Sequence, residues 1–152
     1  MRAFARARAR GDGAVASPSR RRARTRARAT EHPRDVPPQW VAGMIALWLD
    51  DEWERGASIN RTIGAETARA FERHAARGSA LETSEEFYAR VVLDVANDLT
   101  AVDFRDAFVS AFETSNKLIE MLMLRAGTDV CCVGEDDITR ADRYEAIALE
   151  ET

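Results

Sequence analysis

Between residues 38 and 127 apolar positions recur at three- and four-residue steps, the period of a helical face rather than of a strand. From Pro38 to Arg55, Trp40, Met44, Leu47 and Trp48 share one side, with Val41 and Ile45 widening it. Pro37 and Pro38 bar a helix behind them and suit the first turn of one ahead, and Gly56 marks its end. A thinner apolar line, Ile59, Ile63, Ala70, Phe71 and His74, runs through Ser58 to Arg77 and stops at Gly78. Thr83 and Glu86 form the Thr-x-x-Glu pattern of a capping box. The helix they predict continues to about Thr100, with Phe87, Val91, Val92, Val95 and Leu99 on one face.

The most strongly patterned stretch is Asp103 to Gly127. Phe104, Phe108, Ala111, Phe112, Ser115, Leu118, Ile119 and Leu122 fall on one helical face, Asp103 can cap the start, and Gly127 fits just past the last turn. Only Ala101 and Val102 separate it from the preceding helix, which predicts a tight antiparallel hairpin. A short final helix is predicted over Thr139 to Glu150, within an acidic tail of residues 128–152. Together these give an all-α fold: a single small bundle of about four helices over residues 38–127, with a disordered N-terminal segment. At 152 residues the chain can bury one sizeable core, not two.

Charge divides the chain. Residues 1–30 hold ten Arg against one acid, Asp12, a balance of +9; the rest holds 12 Arg or Lys against 25 acids, a balance of −13. The head, residues 1–34, is rich in Arg, Ala and Ser/Thr and has no apolar core, the marks of an organelle transit peptide. Two other readings compete: an Arg-rich arm that binds nucleic acid through phosphates, and spurious translation upstream of the true start. The acidic body has no basic stripe, so no nucleic-acid partner is expected after processing. The longest apolar run, Trp40 to Leu49, is about half of the roughly 20 residues a membrane span needs, so a soluble body is expected.

Catalytic patterns are sparse. The chain lacks a Gly-rich phosphate loop, a nucleophile elbow, H-E-x-x-H and C-x-x-C. Of two histidines, His32 lies in the head, and His74 is preceded at i−3 by Phe71 rather than the Glu of a di-iron bundle. His74 therefore reads as a surface or internally satisfied histidine, and no catalytic residue, metal or cofactor is expected. Cys131 and Cys132 are the candidate redox pair, against a reading as packing residues or idle thiols. The preceding helix C-terminus and Asp129, Glu135, Asp136 and Asp137 would raise a thiol pKa rather than activate it. Asn116 reads equally as a buried hydrogen-bonding residue or a surface one.

Trp40, Trp48 and Trp53 are candidate partner anchors, because Trp is over-represented among binding hot spots. Core packing competes for all three and is the preferred reading for Trp48. Asp50, Asp51 and Glu52 sit at the negative end of the first helix dipole, which is locally unfavourable. They read either as a solvated, fraying helix end or, with Trp53, as part of a recognition surface.

The segments WLDDEW (Trp48 to Trp53), Ile63-Gly64, DFRDAFVSAF (Asp103 to Phe112) and Cys131-Cys132 together resemble small nuclear-encoded plastid proteins of plants and green algae. The resemblance covers most of residues 40–134 and includes no catalytic signature. It implies a non-enzymatic auxiliary or biogenesis factor, with assembly of a photosynthetic or ATP-synthase complex as the kind of task. The expectation is an interaction protein with a protein partner in the chloroplast, or alternatively the mitochondrion. A thiol-dependent protein and a basic-arm nucleic-acid binder stand as alternatives.

Overall fold

The computed structural model describes residues 31–131 and 133–150. The structure is all-α, with five α-helices among the described residues: α1 (Pro38–Glu52), α2 (Ser58–Ala75), α3 (Ser84–Leu99), α4 (Ala111–Arg125) and α5 (Glu135–Glu150). A short 3-10 turn, Pro33–Asp35, precedes them. Of the head expected over residues 1–34, with its transit-peptide and nucleic-acid readings, residues 1–30 lie outside the described residues, as does Cys132, whereas residues 31–34, expected to be disordered, are ordered against the body.

Helix α1 is the hub. It buries Trp40, Val41, Met44, Ile45, Trp48 and Leu49, and it packs against α2, α4 and α5. It lies antiparallel to α2, with Asn60 reaching Asp50 at one end and Gly64 lying against Ala42 and Ala46 further along. Helix α4 also runs antiparallel to α1, because Lys117 lies over the Trp48 ring and Arg125 over the Trp40 ring. Helix α3 meets α2 over that helix's C-terminal half, where Phe87 sits edge-on to Phe71. The capping box at Thr83 and Glu86 forms as expected.

Two buried hydroxyls donate to backbone carbonyls. The Ser115 hydroxyl donates to the Val92 carbonyl at 2.6 Å and the Thr67 hydroxyl to the Ile63 carbonyl at 2.7 Å, as buried hydroxyls require. Asn116 is exposed.

Two expectations of helix bounds are corrected. First, the helix expected from Asp103 starts only at Ala111. Asp103 does not cap it; its carboxylate instead accepts from Arg105, whose guanidinium holds the Asp103 carboxyl below its usual range. The cap is Ser110, whose hydroxyl accepts from the Glu113 N–H while the Glu113 carboxylate accepts from the Ser110 N–H. A Ser-x-x-Glu box places the helix start there, so residues 100–110 form a loop and the tight hairpin does not exist. Second, the last helix begins four residues earlier than expected, at Glu135, where the Asp137 carboxylate accepts from the Gly134 N–H. Of the two readings of His74, surface or internally satisfied, the structure shows the second: the side chain is buried. Its Nε2 lies 2.8 Å from the Asp98 carboxylate, and its Nδ1 lies 3.4 Å from Asp94. Asp98 also accepts from Arg73, and those two hydrogen bonds, Arg73's the stronger, hold its carboxyl below the usual range.

Residues 31–36 pack against the body. His32 Nε2–H donates to the Glu82 carbonyl, and its Nδ1 accepts from the Arg34 N–H. Arg34 donates to the Ser79 carbonyl, Pro33 and Val36 are buried, and the His32 ring meets Phe87 edge-on. This strap joins the start of α1 to the α2–α3 loop.

Candidate functional site

One end of α1 carries an aromatic face. The helix stops at Glu52, and the turn that follows is tied by Asp50, whose carboxylate accepts from the Gly56 N–H at 2.9 Å and the Asn60 side chain at 2.8 Å. Gly56 has φ of 76°, a conformation that suits glycine. This turn leaves Trp53 outside the core, 47% exposed. The loop of residues 100–110 then brings Phe108 onto it: the two rings stack at 5.5 Å between centroids with planes 22° apart. Val109 is buried beside Phe108 and anchors the loop, while Phe108 itself is 73% exposed. Phe112, one turn further on at the start of α4, is 56% exposed.

Of the sequence candidates, the structure separates those that face solvent from those that do not. Trp40 and Trp48 are buried, each beneath a cation, with Arg125 4.9 Å from the Trp40 ring and Lys117 5.7 Å from the Trp48 ring. Trp53 alone of the three is exposed. The acids beside it are engaged within the chain. Asp50 ties the turn, Asp51 accepts from Tyr144 at 2.6 Å and from Arg143 at 2.8 Å, and Glu52 pairs with Arg140. The charges of Asp51 and Glu52 at the C-terminus of α1 are thus answered by cations from α5. Phe108 and Phe112 face out rather than inward, because the chain between Phe104 and Ser110 is a loop. The Ser110–Glu113 box was the sequence signal that would have revealed this.

Cys131 is exposed in the connection between α4 and α5. A shallow cleft between α1, α4 and α5, lined by Trp48, Lys117, Glu120, Arg140 and Tyr144, has a volume of about 10 Å³, room for about one water.

The α5 contacts carry a pH dependence. The Tyr144 hydroxyl, followed by Arg143 and Arg140, holds the Asp51 carboxyl below its ordinary 3.8. Burial first, and then the hydrogen bond to Asp51, pushes the Tyr144 hydroxyl far above its ordinary 10.0. A lowered acid stabilises the folded arrangement above its unfolded pKa, and this is lost as pH falls through the folded value. A raised tyrosine stabilises it below its unfolded pKa, and this is lost as pH rises through the folded value. Amide exchange across residues 135–150, corrected for intrinsic rate, is therefore expected to show constant protection from about pH 5 to 9. Protection should fall below about pH 4 and above about pH 10. A steady slope across neutral pH would contradict this.

Residues 25–126 match a family described as a domain of unknown function, DUF8822. The chain belongs to the DUF8822 family. No curated protein and no solved structure matches. The DUF8822 match spans the strap and α1 to α4, including Trp53, Phe108 and Phe112, and ends before α5. The aromatic face therefore lies wholly within the family domain. Among the described residues no helix is long and apolar enough to cross a membrane.

Proposed function

We propose that this chain is a non-enzymatic interaction protein that holds a partner through Trp53, Phe108 and Phe112. The exposed Trp53–Phe108 stack carries the reading. Aromatic side chains left in water at the tip of a rigid bundle are costly in a monomer, and they are the residue types that dominate binding energy when a partner covers them. The narrow cleft beside Trp48 and the enclosure of His74 by Asp94 and Asp98 also favour contact over bond-making.

The Arg-rich head and the plastid resemblance extend the proposal to an organelle assembly or stability factor, imported into the chloroplast and acting on a larger complex of the photosynthetic or ATP-synthase type. Because the strap at residues 31–36 is packed onto the body, processing upstream of Glu31 would preserve it. The mature N-terminus, sequenced from the organelle, is expected between residues 25 and 31; retention of the whole head would contradict import processing.

The functional test is capture from organelle extract with the mature protein as bait. A protein partner at near-stoichiometric yield is expected with the native chain, and Trp53→Ser should lose it while melting within about 2 °C of native, since surface changes are typically within ±0.5 kcal/mol. Equal recovery by both would overturn the assignment of the site. The exposure of Cys131 motivates a second, thiol-dependent reading. Alkylation of Cys131 no faster than free cysteine at pH 7 would remove it.

A further inference from the structure

The family match ends where α4 ends, yet α1 has a further face that α5 covers. Helix α5 lies antiparallel to α1 and parallel to α4, with Arg140 at Glu52, Tyr144 at Asp51, Ala148 at Gly43 and Glu145 at Arg125. Its attachment differs in kind from the rest of the fold. Helices α1 to α4 hold one another through many buried apolar side chains, whereas among the described side chains of α5 Tyr144 is the one buried, with ion pairs around it. Gly43, in the interior of α1, is explained by this contact: a Cβ there would lie 3.3 Å from the Ala148 Cβ. A glycine inside a helix weakens it, and here it provides a flat patch against which another helix can lie.

We propose that the face of α1 bearing Gly43, Trp48, Asp51 and Glu52 is a helix-binding groove, and that α5 is its tethered occupant, displaced by a partner helix of the same chemistry. The ligand class follows from what α5 presents: an amphipathic helix with arginines three residues apart and a tyrosine directly after the second, facing two carboxylates, and an alanine four residues further on against glycine. Charge complementarity sets the class by position: Asp51 and Glu52 take arginines while Arg125 of α4 takes the Glu145 carboxylate, so the partner helix carries both signs at those places, as the net-acidic α5 does. The connection of residues 126–134, with Gly127 at φ of 74°, is long enough to let α5 leave α1, with the Arg125–Glu145 pair to α4 given up as it does. This groove is separate from the Trp53 face and does not depend on the function proposed for it.

The probe is a fluorescent synthetic peptide of residues 135–150, titrated into the full chain and followed by anisotropy. The tethered helix competes at an effective concentration near millimolar, so the native chain should bind the peptide weakly. The full chain carrying Arg140→Glu, Arg143→Glu and Tyr144→Ala should bind it at least tenfold more tightly, and adding Asp51→Arg should abolish that gain. Equal weak binding by the native and triple-variant chains, with both helical and melting cooperatively, would overturn the proposal. So would a shift of the triple variant to a dimer that excludes the peptide, which would assign the groove to a second copy. Should the triple variant fail to fold, amide exchange on the native chain decides: α5 amides are expected to exchange at least 100-fold faster than those of α1. Equal protection of the two helices would overturn the proposal.

Discussion

Gly64→Ala is expected to lower the stability of the body by about 2–3 kcal/mol, although alanine is by itself the better helix former by about 1 kcal/mol. The reason is the approach of α2 to α1. A Cβ on Gly64 would stand 2.5 Å from the Ala42 carbonyl oxygen and 3.4 Å from the Ala46 Cβ. The first is a backbone atom, so no side chain can move aside, and the two helices must separate. That separation would loosen the packing around Ile63, Met44 and Ile45, all fully or nearly fully buried. A fall in melting temperature of about 6–12 °C is expected. Gly56→Ala is the control, because nothing lies within 4 Å of its Cβ position and its φ of 76° is the only obstacle; it should cost about 1 kcal/mol. Equal melting of the Gly64→Ala and native proteins would show that α1 and α2 do not pack this closely.

Phe87→Ala is expected to have the largest effect of any single change in the core, about 3–5 kcal/mol. Against a total stability of typically 5–15 kcal/mol, that leaves the protein near its unfolding threshold. Phe87 is fully buried and joins three parts of the chain. It meets Phe71 of α2 at 6.2 Å and Tyr88 at 6.0 Å, both edge-on, and receives the His32 ring at 5.5 Å and the Arg90 guanidinium at 5.6 Å. Removing the ring takes away the surface on which the strap rests. Amide exchange at residues 31–36 should therefore rise more than in a Val95→Ala protein, whose cavity lies away from the strap. Chemical denaturation gives the stability change, and a loss under about 1.5 kcal/mol would contradict the packing described.

These elements differ in how far they could be read from the chain alone. Helices α1, α2 and α3 were legible because their ends are written locally: Pro37-Pro38 and Gly56 bracket the first, Gly78 follows the second, and the Thr83–Glu86 box opens the third. The central helix was misread because Phe104, Phe108 and Phe112 keep a four-residue step through a loop, so periodicity outweighed the cap at Ser110. That one error hid the aromatic face, since a residue assigned to an inward helical stripe is not a surface candidate. Trp53 was legible as a candidate but its partner ring was not. The acids beside it looked available because their cations, Arg140 and Arg143, are about 90 positions away, as the 88- and 92-residue separations of the Glu52 and Asp51 pairs show. His74 stood on the apolar line of its helix, but its partners were not legible, because Asp94 and Asp98 reach it from another helix.

Oxidative footprinting of the partner complex asks most directly whether Trp53, Phe108 and Phe112 are the contact surface. With hydroxyl-radical labelling read out by mass spectrometry, these three should lose most of their modification when the partner is bound. Leu81, 92% exposed in the α2–α3 loop at the other end of the bundle, should keep its own. Undiminished labelling of Trp53 and Phe108 in a saturated complex would contradict the account.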